Sequence, residues 1–103
     1  MSRRAARVDA NHAEIVAELR RLGCAVQSLA GEGKGVPDLM VCIYGLNEWV
    51  EVKTAKGKLT EDQVRWFGAW PTPVHIVRST EDVAQLILKI WAKVTGEKKE
   101  GRT

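Results

Sequence analysis

The chain has 103 residues, of which 45% are hydrophobic and 28% are charged, and this profile predicts one soluble globular domain with a single core. No apolar run approaches the roughly 20 residues of a membrane span, and the N-terminal segment lacks the apolar stretch of a signal peptide. We therefore expect a cytoplasmic protein without a membrane segment. The net charge of +3 is compatible with nucleic-acid binding but does not establish it.

Composition divides the chain into three parts. Residues 1–8 form a basic N-terminal arm, residues 9–95 form the expected domain, and residues 96–103 form a tail of mixed charge that is expected to be disordered. The two cysteines, Cys24 and Cys42, lie in apolar surroundings and are interpreted as reduced core thiols.

The first half of the chain begins with a predicted helix. Apolar residues at helical spacing extend from about residue 10 to residue 22, Asp9 or Asn11 can cap the start, and Gly23 ends the helix. The segment 24–29 then has the composition of a β-strand.

A hairpin follows a glycine-rich loop at residues 30–35. Two apolar segments, 39–44 and 49–53, are predicted strands, and the tight connection around residues 45–47 makes them an antiparallel pair. Both should lie in the middle of the sheet.

The second half of the chain predicts a helix, a strand and a helix. Thr60 is the expected N-cap of the second helix, and Gln63 completes a capping-box pattern. Residues 74–77 predict a short buried strand, and Ser79 or Thr80 caps the last helix. The order αβββαβα, with a right-handed crossover between the third and fourth strands, predicts an α/β fold whose mixed central sheet is flanked by helices on both faces.

Charged residues stand on the two central strands, where a lone charge costs several kcal/mol to bury. Asp38 opens one strand, and Glu51 and Lys53 share one side of the next, so strand pairing brings all three together. Two adjacent carboxylates stay ionised when cations neutralise them. Lys53 supplies part of that charge, and Mg²⁺ or Mn²⁺, bound by Asp38, Glu51 and the backbone carbonyl of Val52, would supply the rest. These groups suit hydrolysis of a phosphodiester. A structural salt-bridge network at a sheet edge also fits the spacing.

The order of these motifs resembles a known nuclease family. The pair Pro37–Asp38, followed by the segment EVK that contains Glu51 and Lys53, is similar to the PD-(D/E)xK phosphodiesterase signature. The segments NHAEIVAELR, GEGKGVPDL, WVEVK and LTEDQVRWF together resemble stand-alone, phage-type members of the virus-type replication-repair nuclease (VRR-NUC) family. The resemblance covers about three quarters of the chain, from Asp9 to Val83. It implies a restriction-endonuclease-like core.

The resemblance also implies roles for individual residues. Asp38 and Glu51 would bind the metal, Lys53 would be catalytic, and Gln63 would line the active site. Glu14 on the first helix would face the metal through water, with Glu18, one turn later, as the competing choice. For Gln63, a purely structural role in the capping box remains open.

Basic residues around these motifs are candidate DNA contacts. They are Arg3, Arg4 and Arg7 in the arm, Lys34 in the glycine-rich loop, and Lys56 and Lys58 after the third strand. Solvated surface lysines and arginines would give the same pattern.

Other residues have an ordinary structural interpretation beside a functional one. His75 lies within a predicted strand, so a core histidine is favoured over a catalytic base. Trp66 and Trp70 are interpreted as core or dimer contacts rather than stacking platforms for bases, and Tyr44 at the hairpin suits an interface.

The functional prediction is a divalent-metal-dependent, structure-selective DNA endonuclease with no organic cofactor. The resemblance implies a Holliday-junction resolvase that acts on branched or four-way DNA as a homodimer, since a two-fold dimer carries two active sites. The alternatives are a nicking or flap endonuclease, and a non-catalytic nucleic-acid-binding module.

Overall fold

The seven predicted elements form in the predicted order in a computed structural model of the chain, which describes residues 10–96. They are α1 (His12–Arg21), β1 (Ala25–Ser28), β2 (Leu39–Ile43), β3 (Leu46–Val52), α2 (Glu61–Ala69), β4 (Val74–Val77) and α3 (Thr80–Thr95). The predicted arm and all but the first residue of the predicted tail lie outside the described residues.

The strands form one mixed sheet in the order β1-β2-β3-β4. The first three strands pair antiparallel, and β3 pairs parallel with β4 across the crossover that contains α2. The predicted α/β architecture is therefore confirmed. The two charged strands, β2 and β3, are the central ones, so their ends are flanked by neighbours on both sides.

The two faces of the sheet are covered differently. On one face, Leu39 and Val50 join a continuous apolar core with Ile15 of α1 and with residues of α3. Because successive strand residues point to opposite faces, Trp49 and Glu51 lie on the other face. There α2 packs through its tryptophans, with Trp66 5.1 Å from Trp49 between ring centroids.

The hairpin turn differs from the prediction, which started β3 at residue 49, three residues later than its observed start at Leu46. Ile43 pairs with Leu46, so Tyr44 and Gly45 alone form the turn, and β3 begins before Trp49. Both turn residues have positive φ, 50° and 84°, as in the two-residue turns whose twist matches that of the flanking strands. Tyr44 is not a typical residue for such a position, and this hid the turn.

The strand β4 is less buried than predicted. It is an edge strand, and of its four residues only Val77 is fully buried, while Ile76 is exposed on the face away from the core. Within residues 10–96, no helix combines the length and apolar character needed to cross a membrane.

Candidate active site

The start of β2 and the end of β3 bring two carboxylates together. Leu39 pairs with Val50, so Asp38 and Glu51, one residue beyond in each strand, are neighbours on the same face of the sheet. The Asp38 amide donates to Glu51 Oε1 at 3.1 Å, and the Val52 amide donates to Asp38 Oδ2 at 3.0 Å. Each carboxylate is therefore oriented by the backbone of the other strand.

The side chain of Glu51 is almost entirely removed from solvent, with a residue exposure of 1%. Burial, and to a smaller extent the nearby charge of Asp38, raise the pKa of Glu51 from 4.5 to about 7. The hydrogen bond from the Asp38 amide and the charge of Lys53 oppose this rise. Near neutral pH the Glu51 carboxyl is therefore poised between its protonated and ionised forms.

Lys53 is the positive charge of the site. It follows β3 directly, on the same face as Glu51, and its Nζ lies 3.5 Å from Glu51 Oε2. Its side chain is only 10% exposed. A lysine held this way presents a compact charge in a partly desolvated cleft, where electrostatic stabilisation is stronger than in water.

Gln63 connects α2 to the carboxylate pair. Its Oε1 accepts from the Thr60 amide at 2.9 Å, and its backbone amide donates to the Thr60 hydroxyl at 3.2 Å, which confirms the predicted capping box. Its Nε2 donates to Glu51 Oε2 at 2.8 Å. Because the amide oxygen must accept at the cap, the NH₂ group has to face Glu51. The two interpretations of Gln63 are thus compatible, since the cap orients the side chain toward the site.

The glycine-rich loop reaches Asp38 by passing close to α2. Gly35 has φ +86°, and a Cβ at this position would lie 2.3 Å from the Asp62 carbonyl oxygen. A residue with a side chain cannot be placed there without moving backbone, so the glycine permits the close approach. This contact places the segment that leads into Asp38 against the helix that carries Gln63.

Two residues at this end of the sheet were not predicted as part of the site. Asn11 is the N-cap residue of α1, but its side chain makes no capping hydrogen bond. Instead its Nδ2 donates to the carbonyls of Lys53 at 3.2 Å and Arg78 at 2.9 Å. Arg78 in turn donates to carbonyls of the loop after Lys53. The sequence signals that could have pointed to these two residues were a polar residue at a helix start and an arginine directly after a strand.

The predicted acids of α1 lie outside this hydrogen-bonded cluster. Glu14 is exposed in the first turn, and within residues 10–96 its carboxylate makes no hydrogen bond or ion pair. Glu18 instead accepts two hydrogen bonds from Arg21, at 2.9 and 2.7 Å. The role of Glu14 therefore stays a prediction, and Glu18 is the weaker choice because it already has a partner.

The predicted DNA contacts are exposed where they are described. Lys34, Lys56 and Lys58 are all solvent-exposed, and Lys34 adopts a positive φ of 55° in the loop before Asp38. The arginines of the arm lie outside the described residues.

The second buried acid, Glu48, belongs to a separate group on the core face of the sheet. Its Oε1 lies 2.8 Å from His75 Nε2, and its Oε2 lies 3.4 Å from Lys93 Nζ. His75 is thus a partnered core histidine and is not part of the Asp38–Glu51 site.

The donor set can be compared with the needs of a divalent cation. Asp38 and Glu51 supply adjacent carboxylate oxygens, which Mg²⁺ and Mn²⁺ prefer, and the raised pKa of Glu51 marks a charge that a cation would stabilise. The Val52 amide points toward Asp38. Because the N–H and the C=O of one strand residue point to the same side of the strand, the Val52 carbonyl also points toward Asp38. Between residues 10 and 96, no three His, Cys, Asp or Glu side chains gather at one point. The two carboxylates fit a cation that takes its remaining ligands from backbone, water or phosphate.

Comparison with known proteins gives one strong similarity. A solved structure described as a VRR_NUC domain is 32% identical to the chain, with a TM-score of 0.58. The match covers 74% of this chain and 88% of that one. No family model and no curated protein matches the sequence.

Proposed function

Because the chain belongs to the VRR-NUC family of nucleases, we propose that it is a divalent-metal-dependent DNA endonuclease that cleaves branched DNA. The proposal further takes the four-way junction as the substrate and a homodimer as the active form. A two-fold dimer would place two equivalent sites across a junction and so allow paired, symmetric cuts.

The observation that carries the proposal is the buried pair of Glu51 and Lys53 beside the carboxylate of Asp38. Burying a carboxylate to 1% exposure beside a second carboxylate has a desolvation cost, and a bound cation would offset it. Asp38 and Glu51, with the Val52 carbonyl, would hold the divalent cation. When bound, such an ion polarises a phosphate oxygen and lowers the pKa of water.

The protein's own groups have separate tasks in this mechanism. Lys53, 3.5 Å from Glu51, faces the same space and would stabilise the negative charge that develops on the phosphate. Gln63 holds the Glu51 carboxylate in place through its 2.8 Å hydrogen bond. Backbone hydrogen bonds orient both carboxylates before substrate arrives, which lowers the reorganisation needed during the reaction.

A cleavage assay tests the proposal. Wild type should be incubated with a four-way junction, a flap and a linear duplex of shared sequence, with Mg²⁺, Mn²⁺ or EDTA. We expect paired, symmetric nicks on the junction that require the metal. Asp38→Asn and Lys53→Met should each lose about 100- to 1,000-fold in rate but still bind the junction. Glu81→Gln and Lys89→Met, at exposed positions of α3, are the matched controls.

Each other outcome has a definite meaning. Cleavage of the flap alone would support a flap endonuclease, and equal cleavage of linear duplex would contradict structure selectivity. Binding without cleavage by wild type in either metal would favour the non-catalytic module. Sedimentation at micromolar concentration tests the homodimer, because a strict monomer would remove the basis for symmetric cuts.

A further inference from the structure

Arg78 lies beside the loop that follows Lys53, although it is 24 positions away in the sequence from Thr54, the first residue of that loop. It is the first residue after β4, and the parallel register pairs Val52 with Val77. The Lys53 amide donates to the Val77 carbonyl at 3.1 Å, which continues the pairing one residue past β3. The side chain of Arg78 therefore starts beside the loop that follows Lys53.

The guanidinium of Arg78 closes around that loop. Its Nη1 lies 2.7 Å from the Thr54 carbonyl oxygen, 2.8 Å from that of Gly57 and 3.4 Å from that of Ala55. The Gly57 amide donates to Thr54 O at 3.1 Å and forms a tight turn. Hydrogen bonds from a charged donor are stronger than neutral ones, so Arg78 gives this turn strong side-chain support.

Arg78 is itself anchored from two directions. Its amide donates to Asp82 Oδ2 at 2.8 Å, in the first turn of α3, and its carbonyl accepts from Asn11 at 2.9 Å. The same Asn11 group donates to the Lys53 carbonyl. The guanidinium therefore extends from a backbone position that α1 and α3 both hold.

The turn lies beside the stem of Lys53. Gly57 has no Cβ, but one added there would lie 3.5 Å from Lys53 Cδ and 3.1 Å from the Thr54 hydroxyl, so the Gly57 backbone is close to that stem. A free lysine side chain populates many rotamers and loses that freedom when it is held in one. The turn backbone beside its stem restricts those rotamers and keeps the ammonium near Glu51.

We propose that Arg78 is a positioning residue for Lys53, acting through the turn at residues 54–57. The catalytic part of this inference rests on the proposed nuclease function, while the support of the turn does not. Arg78 acts through the backbone carbonyls that it binds and not by contact with the DNA phosphate.

The matched pair of variants is Arg78→Met and Arg20→Met. Both remove a guanidinium and keep an unbranched stem, and Arg20, in the last turn of α1, also donates to a backbone carbonyl, that of Val26 at 3.3 Å. Arg78→Lys is the milder variant, since an ammonium keeps a charged donor but on a shorter side chain.

The first measurement needs no catalysis. Amide hydrogen exchange at Gly57 should accelerate about tenfold or more in Arg78→Met, because the turn loses charged hydrogen bonds. Exchange at Val52 should stay unchanged, and Arg20→Met should alter neither site. The nuclear Overhauser contact between Gly57 and the Lys53 stem should weaken in Arg78→Met. Unchanged exchange and contact would overturn the inference, whether or not the protein cleaves DNA.

The second measurement follows the rate of junction cleavage. Arg78→Met should lower kcat about 10- to 100-fold with KM within about twofold, the loss expected for a misplaced catalytic group. Arg78→Lys should recover part of the lost rate.

In a Lys53→Met background, Arg78→Met should change kcat less than about twofold, because its effect passes through Lys53. A raised KM, or an equal loss in both backgrounds, would contradict the proposal. Complete inactivity of wild type would refute the nuclease function, and the exchange result would still decide the support of the turn.

Discussion

Single residues at the site carry an electrostatic cost. Glu51 is buried beside Asp38, and in the absence of a cation the protein must either protonate Glu51 or hold two charges in a poorly solvated cleft. Lys53 offsets this cost in part, at 3.5 Å. The consequence is that stability and metal binding should both depend on the ionisation of one carboxyl group.

The pH dependence of stability tests this directly. The folded pKa of Glu51, about 7, lies above the ordinary value of 4.5, so its contribution is complete below pH 4.5 and is lost as pH rises through 7. In EDTA, wild type should lose on the order of 3 kcal/mol of unfolding free energy from this group between pH 4.5 and pH 8. Glu51→Gln should lack that loss. Urea denaturation at both pH values measures it.

Two controls accompany this comparison. Glu81→Gln removes an exposed acid and should keep the wild-type pH dependence. Mg²⁺ at pH 8 should stabilise wild type more than Glu51→Gln, because the cation replaces the missing proton. If wild type and Glu51→Gln lose stability in parallel, Glu51 does not have the raised pKa described above.

At the scale of elements, α2 and the loop before β2 hold the site from one side. The capping box at Thr60 begins the helix and orients Gln63, which reaches Glu51. Gly35 allows the loop to lie against the same helix turn. Trp66 and Trp70 stack on each other, and both contact Trp49 of β3, at 5.1 and 5.3 Å between ring centroids, which attaches this end of α2 to the sheet. The position of this short helix therefore helps to orient the Glu51 carboxylate.

Gly35→Ala should disturb this arrangement. The added Cβ would meet the Asp62 carbonyl at 2.3 Å in a backbone conformation that alanine adopts with strain. We expect a loss of about 3 kcal/mol or more in unfolding free energy, together with weaker junction cleavage. Gly31→Ala is the matched control in the same loop, because a Cβ there meets nothing within 4 Å. Thermal and urea denaturation of the two variants give the comparison, and equal stability would contradict the close contact.

At the scale of the whole molecule, the starts of all three helices converge on the same end of the sheet. Asn11 before α1 reaches Lys53, Thr60 before α2 orients Gln63, and only two residues separate β4 from α3. Helix N-termini carry partial positive charge, so this end of the molecule is suited to anions. The exposed lysines of the loop after β3 add full charges there.

The salt dependence of DNA binding tests this distribution of charge. Replacing Lys56 and Lys58 with glutamine should lower the slope of log K against log salt by about two, if each contacts one phosphate. Fluorescence anisotropy with Ca²⁺, between 50 and 200 mM salt as a rough range, gives the slope. Lys89→Gln, at an exposed position of α3, should leave it unchanged. If the double substitution leaves the slope unchanged, the DNA does not contact the loop after β3.

Much of the fold follows from local patterns. Alternating and helical spacing of apolar residues predicts each element, and the antiparallel register alone brings Asp38 opposite Glu51. The capping box of Thr60 and Gln63 depends on four consecutive positions, and for that reason it was visible in the sequence. Such features depend on neighbours along the chain or on one hairpin, where few arrangements compete.

The supports of the site depend on contacts between distant parts of the chain. Asn11 meets Lys53 across 42 residues and Arg78 across 67, and no periodicity predicts which carbonyl a polar side chain will reach. Whether Gly35 is a flexible loop residue or a required close contact likewise depends on where α2 packs. The local chemistry therefore specifies which groups can act on a phosphate, and three-dimensional packing decides which others hold them in place.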